Sequence, residues 1–359
     1  MSLPDAPSHS PGSAAPPPPL RLTLDADALT ANWRALRRLS GKARAGAAVK
    51  ADGYGTGARR VTRALATAGC RDFFVAYSAE AAELDGVVDP GTITVLHGPL
   101  SAADAAYIKA RGYRPVLNSL QQARLWREAG GGAADLMIDT GINRLGLPMG
   151  DLGDPLLREL DLRVLHSHLA SAEEDSPQNA AQRDAWQAAR ALGLAPEASL
   201  ANSAGIVLGE DYHGDLTRPG LALYGGVPCA ALVPHIRQVV RPEAALMQVR
   251  DLAAGDAVGY NATFVAQRAM RVGVAAVGYG DGYLRAWSGK GSFRHGGQVL
   301  PVLGRISMDM TVLDLTAAAH LGEGDWVEID YALPDAARHT GLSQYELLTL
   351  LGRRFSRTA

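Results

Sequence analysis

The chain has 359 residues, a length that predicts one large domain plus a smaller one, or two comparable ones. Its 37 acidic and 35 basic side chains leave a formal charge of −2, which sets up no field of one sign and argues against nucleic acid or an anionic membrane surface as a partner. The two cysteines, Cys70 and Cys229, lie far apart and outside any metal-ligand spacing, so neither a disulfide scaffold nor a zinc ribbon is supported and a reducing compartment, the cytoplasm, is expected.

The first nineteen residues, MSLPDAPSHSPGSAAPPPP, carry neither the cationic start nor the apolar stretch of a secretory signal and read as a disordered tail ending in polyproline. No run of apolar residues is long enough for a membrane span. From Asp25 to Leu39 the apolar residues Leu29, Trp33, Leu36 and Leu39 fall at helical spacing, with Gly41 as C-cap. A repeat follows. Short apolar or β-branched runs stand at 46–49 (GAAV), 72–77 (DFFVAY), 92–97 (TITVLH), 115–118 (PVLN), 135–139 (DLMID), 162–169 (LRVLHSHL), 198–202 (ASLAN) and 215–220 (DLTRPG). Amphipathic stretches such as ARRVTRALATAG and SPQNAAQRDAWQAARALG lie between most of them. Eight strands alternating with helices predict an α/β architecture, an N-terminal (β/α)8 TIM barrel over 20–240. Beyond Val240 the runs MQVRDL, TFVAQ, MRVGVAAVGYG, QVLPVLGRI, MTVLDL and DWVEIDY, separated by glycine-rich turns, predict a mostly-β domain over 241–359, closed by the helix SQYELLTLLG.

In such a barrel, residues just past the C-terminal ends of the strands face the active site. Lys50 stands there after strand one, Arg144 after strand five, His168 at the end of strand six, Asn202 and Ser203 after strand seven, and Arg218 after strand eight. Alone, a lysine at a strand end is most often solvated; five strands aiming polar groups at one mouth reverse those odds. Desolvation lowers a lysine's pKa and frees its lone pair for a Schiff base with an aldehyde. The loops after strands seven and eight are where barrels hold phosphate, and NSAG (202–205) and RPGLALYG (218–225) offer a hydroxyl and accessible backbone N–H groups. A lysine opposite a phosphate cradle fits pyridoxal phosphate.

The segments AAVKADGYGTG, DTGINRLGL, SHLASAEE, ANSAGI, RPGLALYG, VGYNATF, VGYGDGY and GRISMDM resemble, in order and spacing, the motifs of the alanine racemases, a likeness that runs from Leu22 onward. The resemblance implies a pyridoxal-phosphate enzyme with a barrel followed by a β domain. In it Lys50 holds the cofactor and serves as acid or base on one face of the substrate Cα, and Tyr54 contacts the phosphate. Ser203, beside Asn202 and with the backbone N–H groups at Gly220 and Leu221, holds the remaining phosphate oxygens. Arg218 faces the pyridine nitrogen and, as a guanidinium that only donates, leaves that nitrogen unprotonated and the ring a weaker electron sink. Arg144 bonds the cofactor's phenolic oxygen and belongs to the substrate pocket. Racemisation needs a second acid or base opposite Lys50, and Tyr260 matches it, with His168 bonded to that tyrosine and joined to Arg218. The resemblance further implies a homodimer in which the β domain caps the neighbour's barrel, so that Tyr260, Tyr279, Met308 and Asp309 serve the partner's site. Production of D-alanine for peptidoglycan follows from the same likeness.

Two positions depart from the family pattern. Met137 stands where many members carry a carbamylated lysine, so that Arg144 needs another brace, and Arg353 falls where some relatives place a tyrosine beside the phosphate. Other readings are weaker. His166, His168 and His97 suggest the start of a metal-dependent hydrolase site. The DTG at Asp139 suggests an aspartic protease, yet it occurs once and inside a strand-helix repeat. A cofactor carrier without activity would lack the β domain, and a decarboxylase would pair the ring nitrogen with a carboxylate. A serine or broad-specificity racemase of the same fold is the nearest alternative.

Overall fold

The computed structural model describes residues 16–358, so the expected disordered tail lies outside the described residues up to position 15. Pro16 to Pro19 run exposed into the strand Leu20–Leu24. That strand belongs to the second domain, where it pairs antiparallel with Val240–Leu252 and parallel with Ser356–Thr358. The barrel, expected from residue 20, therefore starts at the helix Ala26–Leu39. Alternation decides the difference: Leu20, Leu22 and Leu24 are buried on one face, the pattern of a half-buried strand rather than of a barrel interior.

Asp25 caps the first helix, its Oδ1 accepting from the Ala28 N–H at 2.8 Å. Leu29, Trp33 and Leu36 are buried at helical spacing, and the Trp33 indole donates to the Ala45 carbonyl at 3.1 Å, tying helix to first strand. Ser40 ends the helix and Gly41, at φ +59°, takes the left-handed position beyond it.

The strands Ala47–Ala48, Phe73–Val75, Ile93–Val95, Arg114–Leu117, Ala134–Asp139, Leu162–His166 and Glu197–Ser199 pair in parallel, in chain order. The eighth, Leu216–Thr217, pairs with Arg44–Ala45, the lower half of the first strand. The Asp215 N–H donates to the Ala198 carbonyl at 2.8 Å and the Ala48 N–H to the Pro219 carbonyl at 2.9 Å, so strand eight bonds both neighbours and the barrel closes. Gly46 interrupts the first strand because a Cβ there would meet the Phe74 ring at 2.7 Å.

In the second domain, Val240–Leu252, Met270–Ala275, Thr311–Asp314, Gln298–Leu303, Ser292–His295 and Trp326–Ile329 pair in that order and return to Val240–Leu252. They form a closed antiparallel barrel, which leaves those six strands no free edge. The long strand serves both sides because its register shifts between Leu246 and Gln248. The helices Leu333–Thr340 and Gln344–Thr349 then lead back to the mouth of the first barrel.

Candidate active site

A cavity of about 900 Å³ opens at the C-terminal ends of the parallel strands. Lys50, Tyr54, Arg144, His168, Asn202, Ser203, Arg218, Gly220 and Leu221, the residues expected there from one chain, all line it. Leu96, His97, Met137, Glu173 and Tyr345 complete much of the wall.

Lys50 is delivered by an unusual backbone. Ala51, Asp52, Gly53, Tyr54 and Gly55 follow at φ +52°, +52°, +60°, +55° and +79°, one turn of left-handed helix closed by Gly53 N–H to Val49 C=O at 2.9 Å and Gly55 N–H to Ala51 C=O at 2.8 Å. Each L-residue so placed costs about 1–2 kcal/mol, and three of the five are not glycine. Tertiary contacts hold the turn. Glu80 accepts from the Ala51 N–H at 2.8 Å and the Ala76 N–H at 2.7 Å. Asp52 accepts from the Ala58 N–H at 2.8 Å, and Tyr54 stacks on Tyr224 with ring centroids 4.6 Å apart. From the far domain Arg357 donates to the Gly55 carbonyl at 3.0 Å. An apolar strand thus ends on an amine because the chain reverses its winding there and turns Lys50 to the cavity.

Burial is the largest effect on the Lys50 ammonium and pushes its pKa below the usual range; the Arg144 charge adds to this and Glu80 opposes it. Opposite, Ser203 Oγ accepts from the Gly220 N–H at 3.0 Å and the Ala222 N–H at 3.3 Å, while Asn202 Oδ1 accepts from the Gly205 N–H at 2.9 Å. A Cβ on Gly220 would meet the Tyr54 hydroxyl at 2.3 Å, so glycine keeps the cradle open.

Arg218 is buried and donates to Ser199 Oγ at 2.5 Å, to the Ser167 carbonyl at 2.5 Å and to the Leu200 carbonyl at 3.4 Å. Burial lowers its pKa to about 10 and the Asp135 carboxylate partly restores it. The histidine within its reach is His166, at 3.3 Å, rather than the expected His168. His166 ends the strand Leu162–His166 and is fully buried, whereas His168 lies two residues beyond the strand end and lines the cavity. His168 lines the cavity with its pKa pushed down to about 3, first by burial and then by Arg218, Arg144 and Lys50, which keeps the ring neutral.

The DTG turn serves structure. Asp139 Oδ1 accepts from the N–H groups of Gly141, Ile142 and Asn143 at 2.8, 3.0 and 3.1 Å, folding the loop that carries Arg144. Arg144 itself is exposed, with no hydrogen bond or ion pair among the described residues, and Met137 offers it no polar brace. Arg353 is exposed and absent from the cavity wall; Tyr345, Glu346 and Thr349 supply the C-terminal contribution, with the Tyr345 hydroxyl donating to Glu173 at 2.9 Å. Among the described residues no three metal-ligating side chains converge.

Tyr260, Tyr279, Met308 and Asp309 lie on the second domain and do not line this chain's own cavity. Tyr260 is 62% exposed on a turn in which Asn261 and Ala262 also have positive φ, and Met308 is 54% exposed. Tyr279 and Met308 belong to one rigid ledge: the Tyr279 N–H donates to the Ser307 carbonyl at 3.0 Å and the Gly280 N–H to the Met308 carbonyl at 2.8 Å. Arg354 clamps it, 2.6 Å from Asp281 and 2.7 Å from Asp309.

Glu80, His97 and Tyr345 complete the cavity and its supports without having been assigned to it from sequence; only His97, as a histidine at a strand end, carried a signal. Comparison with known proteins identifies the family. The family described as alanine racemase, N-terminal domain, matches residues 24–228, and alanine racemase, C-terminal domain, matches 239–359. The biosynthetic alanine racemase of Agrobacterium fabrum is 40% identical, the match covering 94% of this chain and 93% of the relative; that of Acidiphilium cryptum is also 40% identical, over 94% and 97%. The crystal structure of alanine racemase from Bartonella henselae with covalently bound pyridoxal phosphate superposes with a TM-score of 0.86 at 34% identity, covering 96% of this chain and 99% of that one. The chain belongs to the alanine racemase family.

Proposed function

We propose that this chain interconverts L- and D-alanine with pyridoxal phosphate as cofactor, in a site completed by a second copy of the chain. The observation that carries the reading is an amine of depressed pKa, Lys50, facing a glycine-lined cradle of backbone N–H groups across one cavity. The residues fit that cofactor. Lys50 can hold its aldehyde carbon, Ser203 with the backbone at Gly220 and Leu221 its phosphate, and Arg218 its ring nitrogen. When bound, the cofactor supplies an electron sink that makes the substrate Cα–H acidic.

The remaining chemistry belongs to the chain. Lys50, its ammonium disfavoured by burial, takes or gives a proton on one face of Cα. Tyr260 of the second copy does so on the other face. Its exposure in a single chain, on a strained turn, supports that assignment. His168, held neutral, is placed to bond a phenol brought to the cavity. Arg144, without a hydrogen-bond or ion-pair partner among the described residues, offers a bidentate donor to an anionic oxygen. The ledge of Tyr279, Met308 and Asp309 closes the substrate side of the neighbour's cavity, with the Met308 backbone as a carboxylate donor. No helix among the described residues is long and apolar enough to cross a membrane, and we place the enzyme in the cytoplasm, where D-alanine would supply peptidoglycan.

Mixing two inactive variants tests the shared site. Lys50→Ala and Tyr260→Phe homodimers each lose turnover by about 10²-fold or more. After subunit exchange, half the dimers are mixed and each mixed dimer has one intact site, so activity returns to about one quarter of wild type. A mixture that stays inactive while exchange is proven by mass, or a fully active Tyr260→Phe, overturns the proposal. A broader amino-acid racemase is favoured by one feature, Met137 beside an unbraced Arg144, and a panel of enantiomeric pairs separates the two readings.

A further inference from the structure

Behind Arg218 the barrel interior is polar, where branched apolar side chains commonly fill it. His166 Nδ1 lies 3.3 Å from Arg218 Nη1, and His166 Nε2 lies 3.0 Å from Asp135 Oδ2. Arg114 Nε donates to that same carboxylate oxygen at 3.1 Å. Asp135 and His166 are both 0% exposed, and neither matches a motif of the site. The polarity of this chain is fixed by chemistry. A guanidinium only donates, so His166 Nδ1 must accept, and the single proton of a neutral imidazole then sits on Nε2 and is donated to Asp135. Burial, the largest effect on His166, favours that neutral ring.

The consequence for Arg218 is a count of donors. Nη1 is engaged by Ser199 and His166, and Nη2 by the carbonyls of Ser167 and Leu200. Four of the five guanidinium N–H groups are thereby held, and Nε–H has no partner among the described residues although Arg218 lines the cavity. We propose that Asp135 and His166 are positioning residues which, through this one-way chain, pin Arg218 so that Nε–H is the single donor it presents to the cavity. Only the identity of the group that meets Nε rests on the cofactor reading above.

The first test needs no cofactor. In cofactor-free protein labelled with ¹⁵N-histidine, the His166 signals, assigned by their loss in His166→Met, should show a bare Nδ1 and a protonated Nε2 that do not titrate from about pH 5 to 9. A proton on Nδ1, or a titration within that range, overturns the proposal whether or not the enzyme is a racemase. In the loaded enzyme, Asp135→Asn, which keeps the shape and removes the charge, should lower kcat about tenfold with KM for alanine unchanged. The double variant Asp135→Asn/His166→Met should be no worse than the poorer single one, because both break the same chain. Additive losses, or a fall in thermal midpoint with kcat intact, would reduce the pair to ordinary barrel packing.

Discussion

Gly220→Ala probes the cradle most directly. The new methyl would stand 2.3 Å from the Tyr54 hydroxyl oxygen, 3.1 Å from the ring carbon that bears it and 3.4 Å from the Ala48 Cβ. Normal contact requires the phenol to retreat by roughly 1 Å. It has little room to do so, since Tyr54 is stacked on Tyr224 and its backbone belongs to the left-handed turn after Lys50. Overpacking of this kind costs about 1–3 kcal/mol. For a chain of this size that lowers the thermal midpoint by roughly 1–4 °C. Tyr54→Phe removes the offending atom and, with no hydrogen bond on that hydroxyl among the described residues, should leave cofactor-free stability nearly unchanged. The double variant Gly220→Ala/Tyr54→Phe should therefore recover most of the loss, a coupling read by thermal melts of the four proteins without cofactor. If Gly220→Ala melts like wild type, or if Tyr54→Phe fails to rescue it, the cradle is not shaped by this contact.

Acid should weaken the cofactor-free fold through its histidines. His168 has a folded pKa of about 3 against an ordinary 6.5, so the unfolded chain binds the extra proton and stability falls with pH below 6.5; between pH 7 and 5 this one group removes about 2 kcal/mol, visible in urea titrations and diminished in His168→Gln. Asp25→Ala should cost about 1 kcal/mol by uncapping the first helix, measured in the same way. Arg354→Ala frees the ledge by leaving the buried Asp281 without its cation; a loss of about 1–3 kcal/mol and a raised KM for alanine are expected, and an unchanged KM would detach the ledge from substrate binding. The Cys70 thiol, which burial pushes up to about 12, should resist alkylation in the folded protein and react on unfolding.

The strand-helix repeat and the polar strand ends were legible because local pattern and position suffice for them. Leu29, Trp33 and Leu36 mark the first helix, and Lys50, Ser203 and Arg218 stand where any such barrel turns its residues to the mouth. What was not legible depends on distant partners. Leu20–Leu24 precedes the barrel yet joins a sheet whose other strands begin at Val240. Ser292–His295 has a single fully buried side chain, Phe293, and the helix Leu333–Thr340 is short, with Pro334 in second place, so neither gives a clear periodic signal. Ala51 and Tyr54 do not favour left-handed winding; Glu80 and Arg357 hold it from outside the segment. The exchange of His168 for His166 beside Arg218 is a matter of where the strand Leu162–His166 ends, which spacing alone cannot fix.

The backward-wound turn is gripped from the far end of the polypeptide: Arg357 holds the Gly55 carbonyl, and a Cβ on Gly55 would lie 2.6 Å from the Leu348 carbonyl. The last few residues thus help to aim an amine some three hundred positions earlier. A purification tag belongs on the amino end of this enzyme, and an isolated first barrel, trimmed after residue 240, would keep the lysine while losing its aim.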